Sequence, residues 1–419
     1  MHKVKAIRGV IVAVAVAGPL SAALATNGYF SHGFGIKTKG MGGVGIALPQ
    51  DAMAAATNPA GAVNVGNRFD FGADLFMPDR TASFTSTFNG VAAGDYRSGQ
   101  REFFVPEFGY NRQIGSDMAF ALVVYGNGGM NTNYDKALTG TTNTYSNLEQ
   151  LFIAPTIAKK VGIHSFGASL NLIRQTFEAR GLENFNNANS AYQGFVTNNG
   201  QDISTGYGVK LGWTAEVSPT VTVGAVYQTR SKMTKFDKYK GLFAEQGGFD
   251  IPETYGFGVA IKATPKTTVA VDVSQINYSS IKALANPGTL FPQLSASTKM
   301  GLDTGAGFGW KDMTVFKLGV AHEYSQSLTL RAGYNYGQMP LTSQNTYFNI
   351  LAPATVEHHL TLGATWTLAN KSELTVTYMQ ALGASIGGVP NGNGQTVAGY
   401  PVDLSMKQNA IGIAYGWRW

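Results

Sequence analysis

The chain has 419 residues, of which 13% are charged and 11% aromatic, with 52 glycines and no cysteine. The low charge, the abundant glycine and a mean hydropathy near zero argue against an ordinary soluble enzyme. The absence of cysteine excludes a disulfide framework and thiol catalysis. Past the N-terminus there is no apolar run of ~18–20 residues, so a helical membrane protein is also disfavoured.

The N-terminus predicts a signal peptide over residues 1–25. A basic start (Lys3, Lys5 and Arg8) precedes an apolar stretch, and Ala23 and Ala25 form a small-x-small cleavage site. The apolar stretch is too short for a membrane anchor. The formal net charge is +6, and three of its positive residues leave with the peptide, so the basic balance does not indicate nucleic acid.

From residue 68 onward we predict amphipathic strands of about ten residues, the length that a tilted strand needs to cross a bilayer. There are fourteen, at approximately 68–77, 101–113, 117–126, 148–160, 164–180, 203–217, 220–231, 253–264, 267–280, 312–324, 327–339, 356–369, 373–383 and 407–419. Their connections alternate between tight turns, such as the one at Ser218 and Pro219, and long segments rich in Gly, Asn and Thr. This alternation is typical of a bacterial outer-membrane barrel, and a soluble solenoid or sandwich gives no reason for it.

The last strand carries the strongest face pattern. Ile411, Ile413, Tyr415, Trp417 and Trp419 fall on one side and small or polar residues fall on the other. Terminal aromatic residues fit a lipid-facing girdle. The ending also resembles the C-terminal signature of outer-membrane barrels, which implies recognition by the barrel assembly machinery.

Residues 26–67 do not alternate and are predicted to form a plug with short helices. They contain a GxGxxG pattern at residues 40–45, but no strand precedes it and no βαβ unit follows, so close backbone packing explains it better than phosphate binding. Asp51 can cap a short helix through Ala56, and Pro59 is expected to end it.

These residues also carry a family resemblance. Gly40, Gly42 and Gly43, followed by Asn58, Pro59 and Ala60, resemble the hatch of the outer-membrane long-chain fatty acid and aromatic hydrocarbon transporters of the FadL/TodX type. Segments at 105–110, 125–129, 153–156 and 331–336 resemble that family too, in the right order. The resemblance implies an all-β protein, a 14-stranded antiparallel transmembrane β-barrel over 68–419 with an N-terminal hatch over 26–67.

The resemblance further implies passive uptake of hydrophobic compounds, with capture by loops, passage to a lumen pocket and sideways exit at a kink in strand three. Two prolines, Pro106 and Pro155, lie in the strands on either side of strand three, and proline cannot donate to a ladder. Strand three ends in Gly126, Gly128 and Gly129. We therefore predict a lateral gate formed by these five residues, with an ordinary bulge as the alternative.

Ligand contacts are expected in two places. In the loops, Phe185, Tyr192 and Phe195 recur at helical spacing, and Leu242 and Phe243 follow in the next loop; a groove and loop self-packing remain equally open. In the lumen, the predicted contacts are these four residues: Tyr29, Phe30, Lys317 and Arg331. The two cations could bind the carboxylate of a ligand, or they could form ion pairs with Glu323, Asp272 or Glu373.

Two other functions were weighed. A general porin for small polar solutes is the stronger rival, and an outer-membrane hydrolase is the weaker one, because no Ser/His/acid set stands out and His358 and His359 face opposite sides of a strand. We predict no enzyme activity, no cofactor and no metal. The expected protein is a monomer in the outer membrane of a Gram-negative bacterium, in contact with outer-membrane lipid and lipopolysaccharide.

Overall fold

A computed structural model of the chain describes residues 26–288, 295–389 and 400–419. The predicted signal peptide, residues 1–25, lies outside the described residues. One antiparallel sheet closes on itself and encloses the N-terminal segment, residues 26–67. Because closure leaves no free edge, backbone groups of the wall find partners within the sheet, as a lipid environment requires.

Fourteen long strands form the wall. They are β1 (Arg68–Phe84), β2 (Phe103–Ile114), β3 (Met118–Asn133), β4 (Tyr145–Val161), β5 (His164–Arg180), β6 (Asp202–Ser218), β7 (Val221–Gln228), β8 (Thr254–Thr264), β9 (Thr267–Ile276), β10 (Met313–Ser325), β11 (Leu328–Gly337), β12 (His358–Thr367), β13 (Glu373–Ile386) and β14 (Val402–Arg418). Two short strands, Gly94–Arg97 and Lys232–Met233, add to β1 and β6.

Each strand pairs with its neighbours in sequence, and β1 pairs with β14 from Arg68 opposite Arg418 to Phe84 opposite Val402. Short turns join the strands at one end of the barrel, which we call the turn end, and long segments join them at the other, the loop end. The prediction of fourteen antiparallel strands with alternating connections is confirmed. The observed even count places both chain ends of the barrel at the turn end.

The predicted strand limits are accurate at the turn end and less so at the loop end. β3 was expected to stop at 126 and continues to Asn133, and β1 continues to Phe84 instead of 77. β7 and β9 end earlier than predicted, at Gln228 and Ile276. Alternation identifies a strand only where one face meets lipid, and toward the loop end that contrast disappears.

The outward faces form an apolar belt. In β14 the predicted lipid-facing residues are about half exposed on the isolated chain, from 42% for Tyr415 to 54% for Ile413, and the alternate residues point inward. At the turn end the Trp419 ring stacks on that of Tyr110, with 5.8 Å between centroids. This aromatic edge is the girdle expected where a barrel leaves the bilayer.

The helices are short. α1 is Ile36–Lys39, α2 is Ala54–Thr57, α3 is Ala244–Gly247 and α4 is Lys282–Ala285. The 3-10 helices are Pro59–Asn64, Glu183–Phe185, Asp237–Tyr239, Tyr278–Ser280, Ser343–Asn345 and Phe348–Leu351. In the described part of the chain, no helix has the length and apolar character to cross a bilayer.

Charge on the belt should destabilise the barrel according to depth. Ile413→Lys, within the belt, is expected to lower the free energy of unfolding by about 2–4 kcal/mol, whereas Val217→Lys, one residue before the end of β6, should cost about 0–1 kcal/mol. Both side chains are about half exposed, at 54% and 52%. Urea unfolding in phospholipid vesicles measures both, and equal losses at the two positions would contradict the assignment of the belt.

Candidate functional site

The N-terminal segment is held to the wall by buried ion pairs of α1. The Lys39 ammonium contacts the carboxylates of Asp74 on β1 and Glu107 on β2, at 3.1 Å from the latter. Lys37 pairs with Glu373 on β13. Each side chain is at most 11% exposed. A buried charge is tolerated only when it is paired, so these contacts define where α1 can lie.

The same carboxylates also bind backbone. Glu107 accepts the N–H groups of residues 35 and 36 at 3.1 and 2.7 Å, and Asp272 on β9 accepts those of residues 45 and 46 at 2.8 and 3.1 Å. Charge-assisted bonds of this kind are stronger than neutral ones. Two acids on opposite sides of the barrel thus satisfy the irregular backbone of the N-terminal segment.

Closer to the turn end, Arg68 extends the charge network. Its guanidinium donates to Asp70 at 2.6 Å and to Glu373 at 2.8 Å, and Arg418 reaches the other Glu373 oxygen at 2.8 Å. Asp70 also accepts the N–H of Ala52, just before α2, at 2.9 Å. The network therefore spans the turn end of the lumen and ties α1 and α2 to the first and last strands.

The glycine cluster at residues 40–43 packs directly on the wall. Gly42 has a φ of +68°, and a Cβ there would lie 2.7 Å from the Tyr334 carbonyl oxygen. A Cβ on the facing wall residue, Gly333 of β11, would lie 2.1 Å from the Gly42 nitrogen. Two backbones can approach this closely only where neither carries a side chain.

The motif at residues 58–60 is fixed in a similar way. The Asn58 amide donates to the Ile46 carbonyl at 2.7 Å, and its oxygen accepts the Ala60 N–H at 3.1 Å. α2 ends at Thr57, before Pro59, as the sequence predicts. Pro59 in addition opens the 3-10 helix Pro59–Asn64, which the sequence does not predict. Its first turn lies against Gly167 of β5 and Gly212 of β6, where Cβ atoms would collide with the motif.

β3 separates from β2 halfway along its length. The pairing of the two strands ends at Glu107 opposite Tyr125. β3 nevertheless continues to Asn133 in contact with β4, with a bulge between Gly126 and Gly128. From this point toward the loop end β3 has no ladder with β2, and we call the resulting opening the wall gap.

The N-terminal segment occupies the free edge of β3. Phe30 forms an antiparallel bridge with Gly128, the Ser31 N–H donates to the Asn127 carbonyl at 2.9 Å, and the Gly129 N–H donates to the Tyr29 carbonyl at 3.0 Å. A Cβ on Gly128 would lie 1.8 Å from the Tyr29 oxygen. Residues 29–31 thus replace β2 as the partner of the bulge.

Arg80 of β1 borders the wall gap toward the loop end. Its guanidinium donates to the carbonyls of Asn131 and Gln100 and lies 5.6 Å from the Phe103 ring centroid. The Gly99 N–H, in the loop before β2, closes this edge with a 2.7 Å bond to the carbonyl of residue 133. Sequence reasoning missed Arg80, since only the broken pairing shows why a cation is needed there.

The two prolines of the predicted gate occupy different environments. Pro106 lies opposite Ala73 of β1, next to the last β2–β3 pair, and therefore borders the wall gap. Pro155 lies opposite Leu122 in a continuous β3–β4 ladder, away from the gap. Of the proposed gate residues, the glycines and Pro106 come together and Pro155 does not join them.

A cavity of about 90 Å³ lies beside residues 29–34. Its walls combine aromatic and aliphatic side chains with charged and polar ones; those used below are Phe30, Phe34, Lys210, Asp272 and Lys317. This mixture, apolar with a few convergent polar groups, is typical of ligand sites. The predicted lumen contacts Phe30 and Lys317 both line it.

Lys210 of β6 is a lining residue that the sequence did not single out. It is 5% exposed, donates to the Ala56 carbonyl and lies 5.5 Å from the Phe34 ring centroid and 3.5 Å from the Tyr125 hydroxyl. An inward lysine among apolar neighbours is the signal that could have identified it. Its ammonium is held by a carbonyl and aromatic faces, without a carboxylate among the described ion pairs.

The two predicted lumen cations contact the N-terminal segment. Lys317 donates to the Gly43 carbonyl at 3.2 Å, and Arg331 donates to Gln50 at 3.0 Å and to Thr365 at 2.6 Å. Neither belongs to an ion pair at contact distance among the described residues, although Lys317 stands directly opposite Asp272 in the β9–β10 ladder. Only Lys317 reaches the cavity.

Tyr29 connects the N-terminal segment to the loops. Its ring centroid lies 4.9 Å from that of Phe30, 5.5 Å from Tyr278, 6.0 Å from Trp310 and 6.3 Å from Phe249. The Tyr278 hydroxyl also donates to the carbonyl of residue 27 at 2.6 Å. The aromatic cluster covers the segment from the loop end and buries Tyr29 completely.

Most of the predicted loop contacts are buried in the loops themselves. Leu242 is fully buried. The ring centroid of Phe243 lies 4.7 Å from that of Phe177, and the ring centroid of Phe185 lies 5.7 Å from that of Tyr347. Tyr192 and Phe195 are the accessible members, and the Lys240 ammonium lies 3.9 Å from the Phe195 centroid. Loop self-packing, one of the two alternatives that the sequence leaves open, therefore describes Leu242, Phe243 and Phe185.

The helical spacing of Phe185, Tyr192 and Phe195 does not produce a helix. Only Glu183–Phe185 forms a 3-10 turn, and the remainder is bends and turns. Asparagine side chains bond to nearby backbone instead: the Asn186 oxygen accepts the Gly194 N–H at 2.7 Å, and the Asn187 oxygen accepts that of residue 189 at 2.9 Å. Local bonds of this type compete with helix formation.

Burial perturbs the charges of the N-terminal segment. Burial, together with the charge of Asp70, raises the pKa of Asp51 to about 6, although Lys37 and Arg68 oppose the shift. Burial lowers the pKa of Lys39, but its partners Asp74 and Glu107 outweigh that effect and the net shift is upward. The lysine therefore stays charged at neutral pH, whereas Asp51 sits close to its titration range.

Comparisons with known proteins agree with this architecture. The sequence matches the family model for outer membrane protein transport proteins (OMPP1/FadL/TodX) over residues 21–419. The fold is similar to that of the toluene transporter TodX of Pseudomonas putida, at 17% identity and a TM-score of 0.68 over 94% of this chain and 100% of that one. No curated protein sequence matches.

Two further solved structures are similar. A FadL homologue of Pseudomonas aeruginosa shares 16% identity at a TM-score of 0.69, covering 93% of this chain and 99% of that one. The toluene transporter TbuX of Ralstonia pickettii shares 18% identity at a TM-score of 0.64, with the same coverage. At these identities the likeness concerns the fold.

Replacing Gly333 should displace the N-terminal segment. Gly333→Ala places a methyl group against the Gly42 nitrogen, and such overpacking typically costs about 1–3 kcal/mol. We expect lower stability and a higher ion conductance in planar bilayers, because the lumen loses its filling. Gly383→Ala in β13, whose Cβ would lie 3.7 Å from the nearest atom, is the control. An unchanged conductance in a folded Gly333→Ala barrel would contradict the packing described.

Asp51→Asn should stabilise the protein at neutral pH. With a pKa of about 6 against 3.8 when unfolded, the folded chain binds the Asp51 proton more tightly, so ionisation destabilises it as pH rises through 4 to 6. The gain should reach about 1–3 kcal/mol at pH 7.5 and vanish near pH 4. Unfolding midpoints of variant and wild type at both pH values measure it; a gain that is equal at both would refute the assignment.

Proposed function

The chain belongs to the OMPP1/FadL/TodX family of outer membrane transport proteins, and from that premise we propose how compounds pass through it. Membership places the protein in the outer membrane and makes it a channel for hydrophobic compounds, not an enzyme. Our proposal concerns the route: capture at the loop end, a stop in the lumen cavity, and exit through the wall gap into the membrane. The ligands would be compounds such as long-chain fatty acids or aromatic hydrocarbons.

The separation of β3 from β2 is the observation that carries the proposal. A hydrophobic compound that leaves the lumen here enters lipid directly, without crossing water, which matches the direction of the hydrophobic effect. The opening begins beyond the Glu107–Tyr125 pair and is covered from inside by residues 29–31. These residues form only backbone bonds with the bulge, so they can withdraw without breaking the wall.

The obstruction of the straight route along the barrel axis also favours a lateral exit. Toward the turn end the lumen is occupied by α1, α2 and the 3-10 helix Pro59–Asn64, which ion pairs and close glycine contacts fix to the wall. We propose that residues 26–67 act as a hatch in this way. A ligand moving straight through would have to separate buried charges, which is far costlier than moving residues 29–31.

The cavity would hold the ligand between capture and exit. Phe30 and Phe34 offer apolar surface, and Lys210 and Lys317 would lie near any polar end of the molecule. Phe30 also bridges to Gly128, so a ligand that displaces its ring acts on the bulge itself. The accessible loop residues Tyr192 and Phe195 are the proposed contacts for capture.

Two partners are proposed along with the route. The terminal aromatic edge at Trp419, exposed beside Tyr110, would be the element that the barrel assembly machinery binds. The apolar belt would contact outer-membrane lipid and lipopolysaccharide. We propose a monomer, since contact with lipid alone accounts for the exposed apolar belt and no second copy is needed to cover it.

A general porin for small polar solutes is the second candidate. It needs an open aqueous lumen, and in the described structure the N-terminal segment fills the lumen and leaves the 90 Å³ cavity beside it. The unaltered channel should therefore have a low ion conductance. A large, steady conductance of the wild-type protein would favour the porin.

Filling the wall gap should stop transport. In Gly126→Leu/Gly128→Leu the side chain at position 128 takes the space that the Tyr29 carbonyl now holds. The bulge is then obstructed even when residues 29–31 are displaced, and we expect uptake of a fluorescent hydrophobic acid or hydrocarbon into proteoliposomes to fall to that of empty liposomes. The heat-modifiable folded band on gels should persist, and Gly383→Leu serves as a control at a wall glycine far from the gap.

A photoreactive hydrophobic probe provides an independent measurement. The proposed route places its adducts on residues 104–106 and 126–130, whereas an axial route places them on Pro59–Asn64. Adducts on the 3-10 helix, or undiminished uptake in the folded double variant, would overturn the lateral exit.

A further inference from the structure

Two buried histidines face each other where the N-terminal segment meets the wall. The rings of His32 and of His359 on β12 are nearly parallel, at 10°, with 6.1 Å between centroids. The residues are 3% and 0% exposed. Within the described residues none of the four ring nitrogens forms a hydrogen bond of normal distance and angle. Unsatisfied buried polar atoms are rare in native proteins, so a pair of such rings needs an explanation.

The charged groups around the pair oppose positive charge, and the groups that favour it are backbone ones, of Lys39 beside His32 and of Asn335 and Glu357 beside His359. Lys39 of α1 and Lys317 of β10 act on His32 together with His359, and His358 acts on His359 along β12. On β11 the residue opposite His359 is the neutral Asn335. Burial, His359 and the two lysines hold the pKa of His32 well below its usual value. At neutral pH the two rings are therefore uncharged and pack as flat, mostly apolar surfaces.

His32 is linked to the bulge of β3. The preceding residue, Ser31, donates its N–H to Asn127, and Phe30 bridges to Gly128. On the other side, the His32 carbonyl lies against Gly43, where a Cβ would be 1.8 Å away. A displacement of the His32 ring from β12 is thus transmitted over one or two residues to the backbone that covers the wall gap.

We propose that His32 and His359 form a proton-sensitive latch, which holds residues 29–33 on the wall while both rings are neutral and releases them in acid. Each released imidazole takes up one proton from solvent, and the held pair takes up none. The held state therefore loses stability as pH falls below about 6.5, the ordinary histidine value. The latch would act on the exit route proposed above, although its existence can be tested without any ligand.

The number of protons taken up when residues 29–33 are released can be measured, and it tests the latch. The chain has no cysteine, so Ser31→Cys introduces a single thiol, buried when the latch is held. The rate at which a thiol reagent labels the Ser31→Cys variant is divided by the rate for Ala191→Cys, which lies at an exposed loop position. The division removes the pH dependence of the thiol itself, so the ratio reports the released fraction. With two protons taken up, this ratio should rise by up to ~100-fold per pH unit below about 6.5.

Variants separate the two rings. In the Ser31→Cys background, His32→Gln or His359→Gln should each reduce the slope to ~10-fold per pH unit, and the double variant should have none. His358→Gln is the matched control, because His358 neighbours His359 but faces outward to Tyr334, and the slope should remain that of wild type. Should His359→Gln fail to fold, His359→Phe keeps the flat ring without a titrating nitrogen.

A slope of zero in the wild type, or a slope that survives in the double variant, would overturn the latch. Proteoliposome uptake at pH 7.5 and 5.5 then distinguishes the two proposals. If acid stimulates uptake and the double variant abolishes that stimulation, the latch and the exit route are both supported. If labelling follows the predicted slopes but uptake does not depend on pH, the latch stands and the exit route is refuted.

Discussion

Lys39, held between Asp74 and Glu107, is the contact on which the interior of this barrel depends. A buried lysine is tolerated only where it is paired, and moving Lys39 would separate it from both carboxylates. Fixing Lys39 fixes α1, and α1 sets the register in which residues 40–43 meet the glycines of β10, β11 and β12. Since residues 29–33 lie only a few residues before α1, their place at the β3 bulge follows from the same pair of acids.

The wall gap shows how a membrane barrel can tolerate a break in its ladder. Unpaired backbone groups facing lipid are costly, and an open sheet edge does not persist in the hydrocarbon region. Here the edge that β3 presents beyond Tyr125 is satisfied from within, by residues 29–31, by the Arg80 guanidinium and by the loop before β2. The N-terminal segment is therefore both the filling of the lumen and a backbone partner of one strand. In the proposed route the same backbone closes the wall while it is in place and opens the exit when it withdraws.

Much of this architecture could be predicted from the sequence, and the parts that could not share a physical cause. Alternation along β14 gave the lipid face, turn residues gave the connections, and glycines at 40, 42 and 43 indicated close backbone packing; all depend on residues near one another in the chain. Lys37, Lys39, Asp74, Glu107 and Glu373 form one network only after the barrel closes, so their pairing had no local signal. The loop residue Phe243 shows the same limit: from the sequence a ligand groove and loop self-packing were equally open, and only the fold brings it against Phe177 of β5. The helical spacing after Phe185 failed because asparagine side chains satisfy the backbone first.

The seam between β1 and β14 has a further consequence for how the molecule is made. The N-terminal segment precedes β1 in the chain, yet in the finished structure it is surrounded by all fourteen strands. The seam runs along the full length of both strands, so the barrel has no open edge there through which the segment could be inserted later. The segment is enclosed most simply if it already lies against the growing sheet when β14 arrives. Residues 26–67 also precede every strand in the chain, so their place in the sequence agrees with that order of enclosure.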